Sequence, residues 1–179
     1  MTAEVTPKGY RRHPNGGGLV ADTANVAPVA YVGLNARIYD NARIGGYARI
    51  GGYARVGLNA RIGGYAVING NAVIGGYAVI GGNAVIDGNA KVLTSRHHLT
   101  HGPVGSEDRT VTLHRTVGGG HRIVAGCWAG TCDELAARIA KSKQAWPDAD
   151  KADRKRWKAD YTAMLVAFRV RANEWEAES

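Results

Sequence analysis

Six histidines and two cysteines carry most of the proton-transfer, metal-ligating and thiol chemistry in this 179-residue chain. Three of the histidines fall together in His97-His98-Leu99-Thr100-His101. On a helix, His98 and His101 would share a face, which is a ligand spacing for zinc. No acidic residue or cysteine completes the set locally and no helix is evident, so no metal and no cofactor is expected. A histidine that titrates near neutrality also suits a general base acting on a hydroxyl or amine. If the chain were an acyltransferase, His97, His98 and His101 would be the candidate bases. Cys127 with His114 or His121 has the makings of a thiol nucleophile and its base. No third, orienting group accompanies the pair, and a cysteine on a strand is more often a buried hydrophobe. The C-x4-C spacing of Cys127 and Cys132 is not that of a zinc knuckle, and two cysteines make no disulfide framework.

The second kind of chemistry is anion binding. The formal net charge is +8. Residues 26–92 hold six Lys/Arg against two Asp, whereas residues 131–179 are nearly balanced at ten against nine. Arg37, Arg43, Arg49, Arg55 and Arg61 recur every six residues, and Val67, Val73, Val79 and Val85 then take the same place. Arg115 and Arg122 add cations further on. Arginine pairs and the backbone N–H groups of glycine-rich loops suit phosphate. The candidate ligand-binding residues are Ser106, His114, Arg115, His121, Arg122 and Cys127, with the five regularly spaced arginines as a basic surface. A solvated, edge-protecting face is the competing reading of those arginines.

Such side chains need a scaffold, and a six-residue repeat supplies it. Stepping by six from Val20, every first position to Ile86 is Val or Ile, and every fifth position from Ala24 to Ala90 is Ala. Twelve units of six make 72 residues without slip or insertion. A β-branched residue fits the inside of a flat strand, and an alanine fits a tighter place near a corner. Gly, Asn and Asp crowd the second and third positions, where a corner needs unusual backbone angles. A period of six fits neither an amphipathic helix nor plain alternation. It predicts a solenoid of short strands and corners, each layer covering the last.

This pattern resembles the hexapeptide repeat of left-handed parallel β-helices, a family that includes many acyltransferases. The resemblance implies three hexads per coil and so about four coils of 18 residues. Residues 18 apart then stack at roughly 4.8 Å. Arg37 would lie on Arg55, Arg43 on Arg61, and Val67 on Val85. The valine strip calls for a cover, from the C-terminal segment or a second subunit. The resemblance also implies a homo-oligomer, with a trimer favoured. Catalytic histidines of the family often sit on a loop extruded from the coil. The twelve hexads here contain neither a histidine nor such a loop.

Periodicity ends at residue 92. Residues 109–116, 117–120 and 121–128 predict a β-hairpin. A four-residue loop would put Val111, Leu113, Val124 and Trp128 on one face and Thr110, Thr112, His114, His121 and Cys127 on the other. Thr131 to Glu134 fits a capping box that opens a helix through about Lys141. A second helix is expected from about Lys151 to Glu176, with an apolar stripe of Trp157, Tyr161, Leu165, Phe168 and Trp175. The expected organisation is a cap segment (1–19), the β-helix (20–92) and an α+β segment (93–179). The fold class is thus mainly β: a left-handed parallel β-helix followed by a β-hairpin and two α-helices.

The tail is similar to that of phage and prophage hexapeptide-repeat proteins. The matching residues are Gly102, Pro103, Gly105, Ser106, Arg115, Thr116, Gly126, Cys127, Trp128, Gly130, Thr131 and Glu134, together with the His13-Pro14-Asn15-Gly16-Gly17-Gly18 segment. Glu107 stands where the pattern has an arginine, so no binding role carries over to that position. The expected function is a phage-type, non-catalytic protein that binds an anionic, nucleotide-like small molecule, a sponge against host defence signalling. The alternatives are an acyl-CoA-dependent acyltransferase and a structural, virion-associated module. Nucleic acid is not the expected partner, because the arginines circle the coil rather than line one groove. The N-terminus has no apolar core of a signal peptide, and no apolar run approaches the ~18 residues of a membrane span. The cytoplasm is the expected location.

Overall fold

A computed structural model describes residues 6–178; the first five residues of the expected cap segment and Ser179 lie outside the described residues. The chain divides into two compact units, Met1–His97 and His98–Ser179.

The first unit is a parallel β-solenoid of about four turns. From Asn25–Val26 to Lys91–Val92 each strand is two residues long, the sixth position of one hexad and the first of the next, as in Arg43–Ile44 and Arg61–Ile62. Strands 18 residues apart pair in register, so that Arg37 lies beside Arg55, Arg43 beside Arg61, and Val67 beside Val85. The inside is as the repeat dictates. All twelve alanines from Ala24 to Ala90 are buried, and so are the Val and Ile first positions except Val26, which is half-buried against the same core. The corner falls on the third position: from Asp40 to Gly88 its φ lies between 51 and 66°. Gly64 shows why glycine dominates there, since a Cβ would sit 2.9 Å from the Gly82 backbone nitrogen on the next rung. Leu58 adopts the same backbone at φ 54° without that freedom. Hydrogen bonds run rung to rung even through the corners, as in Tyr47 N–H to the Gly64 carbonyl at 2.9 Å.

At the N-terminal end, Tyr10–Arg12 pairs antiparallel with Leu19–Ala21. The loop between them takes up the exposed polar groups of the first coil. Val32 N–H donates to the Asn15 carbonyl at 2.9 Å, and Gly18 N–H donates to the Val32 carbonyl at 2.9 Å. The Arg11 guanidinium donates to the Ala21 and Ala24 carbonyls at 2.9 and 3.0 Å.

The second unit has a four-stranded antiparallel sheet rather than a lone hairpin. Its strands are His98–Val104, Arg109–Arg115, His121–Ala125 and Trp128–Gly130, in that order across the sheet. The first strand runs through Gly102-Pro103, which reads as a loop, and the turn at Gly126 splits the expected strand 121–128 into His121–Ala125 and a separate strand that begins at Trp128. Three helices follow: α1 (Cys132–Ala140), the short α2 (Ser142–Ala145) and α3 (Lys151–Ala177). Thr131 closes the capping box with Glu134 as the sequence predicts. The core packs Val111, Leu113 and Ile123 from the sheet against Leu135 and Ile139 of α1 and Leu165, Phe168 and Trp175 of α3.

The hairpin faces differ from the expected ones. Five residues, 116–120, join the central strands, with Thr116 N–H donating to the Gly120 carbonyl at 2.8 Å. Leu113 therefore pairs with Ile123 and Arg115 with His121, while Thr112 pairs with Val124 and His114 with Arg122. One added loop residue turns the second strand over. His121 leaves the face of His114, and Val124 leaves the face of Val111.

Candidate functional site

The helices meet one end of the sheet at a cleft of about 310 Å³. The Val104–Arg109 turn supplies Ser106, Glu107 and Arg109; the turn after Ala125 supplies Cys127, and the strand that follows it supplies Trp128. Helix α1 adds Leu135, Arg138 and Ile139, and Trp146 and Tyr161 come from the end of α2 and from α3. The volume is at the small end of the range for small-molecule sites.

Its aromatic wall is ordered. Trp146 stacks on Tyr161 with ring centroids 5.6 Å apart and planes inclined by 29°. Trp157 meets Trp146 in an edge-to-face arrangement, with ring centroids 5.9 Å apart. Gly105 lets the turn reach this wall: it has φ 75°, and a Cβ there would lie 2.9 Å from the Tyr161 hydroxyl oxygen. Burial pushes the Tyr161 phenol up, against the opposing pull of Arg138, with Glu107 raising it further and Arg109 lowering it. At neutral pH it is a protonated donor. Two guanidiniums face one carboxylate in the cleft. Arg109 is paired with Glu107, whereas the Arg138 guanidinium makes no hydrogen bond or ion pair with any described residue. The cleft thus offers a stacking surface and an uncommitted cation, one for a planar ring and the other for an oxyanion.

Of the expected binding residues, Ser106 and Cys127 line this cleft, and Cys127 is exposed. The other four sit elsewhere in the unit. Arg115 donates to the Trp175 carbonyl and to Glu178, both at 3.4 Å, so it holds the last turn of α3, where a cation suits the helix dipole. His121 accepts from Cys132 N–H at Nε2 (3.0 Å) and faces Glu176 at Nδ1 (3.6 Å). The first contact fixes its neutral tautomer with the proton on Nδ1, so this imidazole is committed to the start of α1. His114 is buried and pairs across the sheet with Arg122 and His98. Cys132 is buried too, and burial raises its thiol to about 11, so it is no nucleophile at neutral pH.

The His97–His101 cluster is dispersed by the backbone. His97 ends a 3-10 turn, where its Nδ1 accepts from Leu93 N–H at 3.2 Å. His98 and His101 lie three apart on a strand, an odd spacing that sends side chains to opposite faces. Burial, then His114, then Arg171 lower the pKa of His98, whose Nδ1 is buried without a hydrogen-bond partner. His101 is exposed. Among the described residues, no three His, Cys, Asp or Glu side chains gather as a metal site. No helix among them is long and apolar enough to cross a membrane.

Trp128, Trp146, Arg138 and Tyr161 escaped the sequence reading. Tyr161 sits in the α3 stripe and Trp128 in a strand, where both read as core. The available signal was Trp146 before Pro147, an aromatic where the chain leaves a helix and packs on nothing local. No protein-family model matches the chain, and neither a characterised protein nor a solved structure matches it.

Proposed function

We propose that the protein binds an anionic, nucleotide-like small molecule in the C-terminal cleft and releases it unchanged. The observation that carries this reading is the stacked Trp146–Tyr161 pair beside Arg138, whose guanidinium makes no hydrogen bond or ion pair with a described residue. A base stacked on the indole leaves its phosphate to the guanidinium, and the Tyr161 hydroxyl and Ser106 add hydrogen-bonding groups. Cys127 lines the same cleft without a histidine beside it, which favours binding over thiol catalysis. The resemblance of repeat and tail to phage hexapeptide-repeat proteins supports the finer part of the reading: a homotrimeric sponge that holds its ligand in the cytoplasm of an infected cell.

Mononucleotides and cyclic dinucleotides, added to the full chain and followed by thermal shift and calorimetry, test the reading. At least one is expected to raise the melting temperature in proportion to its saturation. Trp146→Ala and Arg138→Ala should each weaken that ligand about tenfold or more, consistent with ~1.4 kcal/mol per decade. If no nucleotide stabilises the wild-type protein, the reading is overturned.

A further inference from the structure

The solenoid carries a second concentration of unneutralised charge, remote in kind from the aromatic cleft. A groove of about 550 Å³ is lined by Thr23, Asn25, Asn41, Arg43, Asn59 and Arg61. The repeat explains the set. Within a rung, the fourth and sixth hexad positions both lie outside the core, so Asn41 accompanies Arg43 and Asn59 accompanies Arg61. Between rungs, Arg43 and Arg61 pair in register, and Asn41 N–H donates to the Leu58 carbonyl at 3.1 Å, holding the corner beside Asn59. The four side chains form a two-by-two array with a rung spacing of roughly 4.8 Å.

All four are exposed, and none makes a side-chain hydrogen bond or ion pair with a described residue. No acid lines the groove. The corner carboxylate of Asp40, next to Asn41 in the chain, accepts from Leu58 N–H at 2.9 Å. Two guanidiniums on adjacent strands repel each other unless an anion lies between them. The other arginines of the ring are placed differently. Arg49 lies over the Tyr31 ring at 5.0 Å. Arg37 and Arg55 share a smaller space of about 130 Å³ with Arg12 and Asn35, narrowed by Leu19, Leu34 and Tyr53.

The array is also finite. On the next rung Val79 lies in register with Arg61, and Tyr77 replaces the corner asparagine. A polymer would need the donors to continue, whereas a single compact oxyanion needs only these two rungs. A tetrahedral dianion has enough oxygens to accept from both guanidinium forks and from the amides, and enough charge to offset both cations; a carboxylate has neither. We propose that Arg43, Arg61, Asn41 and Asn59 form a binding site for one phosphate group, either free phosphate or the terminal group of a phosphomonoester.

The test uses the full chain carrying Trp146→Ala and Arg138→Ala, so that the cleft does not contribute. Inorganic phosphate and a sugar phosphomonoester are titrated at constant ionic strength, by calorimetry and by melting. Saturable binding of inorganic phosphate is expected, with a rise in melting temperature. Adding Arg43→Gln and Arg61→Gln should weaken it at least tenfold, while Arg37→Gln with Arg55→Gln should change it less than twofold. The Arg43→Gln/Arg61→Gln protein should melt no lower than its parent in phosphate-free buffer, because the repulsion is gone. Equal affinity for the ester identifies phosphoryl groups in general, and preference for the inorganic ion identifies free phosphate; both support the site. Absence of saturation, or equal weakening by the two arginine pairs, overturns it. Because the groove and the cleft lie on different units, loss of nucleotide binding at the cleft leaves this result intact.

Discussion

The two units bury their hydrophobic residues in opposite ways. The solenoid spreads one small solution over many rungs: a Val or Ile and an Ala per hexad, with no aromatic residue in its buried core. The C-terminal unit gathers one cluster around Phe168 and Trp175, fed by a sheet and two helices from distant parts of the chain. In the first, no single residue contributes much and register is everything. In the second, a few large side chains decide whether the unit holds together. The polar sites follow suit. The groove on the solenoid is a repeat of one pair of positions, whereas the cleft is assembled from five separate pieces of backbone.

The sharpest way to break this contrast is at Phe168, which is completely buried. Phe168→Ala should destabilise the C-terminal unit by about 3–5 kcal/mol. Hydrogen exchange should show it opening while the solenoid amides keep their protection, since the two cores share no residue. Coincident loss of protection in both units would end the comparison.

A smaller effect probes the narrow interior of the solenoid. Ala66 is completely buried, and Ala66→Leu should cost about 1–3 kcal/mol from overpacking, read from the shift of the urea midpoint. A neutral result would mean that the coil interior has slack.

At the corners the expected sign reverses. Leu58 holds φ 54° with about half its surface exposed, at 52 %. Leu58→Gly should stabilise the solenoid by about 1 kcal/mol, because the left-handed conformation costs a leucine roughly that much. Its N–H bond to Asp40 remains in either case.

The least of these effects depends on pH. His98 faces His114 across the strands and feels Arg171, and its pKa is lowered below 6.5 in the folded protein. The unfolded chain therefore binds the proton more readily, so stability is full above about 6.5 and is lost as pH falls from there through the depressed folded value. Melting curves across this window should flatten in a His98→Gln variant. An unchanged slope would show that the burial of His98 contributes nothing to acid sensitivity.

How much was legible beforehand differs between the units for the same reason. Val20 to Ile86 and Ala24 to Ala90 could be placed inside the coil residue by residue, because a period of six repeats the same environment every rung. The stacking of Arg43 on Arg61 followed from the three hexads per coil that the resemblance to left-handed β-helices implies. The hairpin faces did not follow, because one extra residue in 116–120 inverts a strand and no local pattern records it. Trp146 and Arg138 come from separate segments, so nothing in their spacing announced that they share a cleft. His121 looked like a base for Cys127, and its commitment to the Cys132 N–H emerged only with the start of α1.

The sequence by itself determined the solenoid, its core, its corners and its columns of arginine and valine, since neighbours there are related by a fixed step along the chain. It also determined the capping box at Thr131 and the span of α3, which rest on contacts within a few residues. Only the tertiary structure decided the four-stranded sheet, the exchange of faces at His121 and Val124, and the cleft of Trp146, Tyr161 and Arg138. Those depend on loop length and on packing between segments far apart in sequence, where no period carries the information from one to the other.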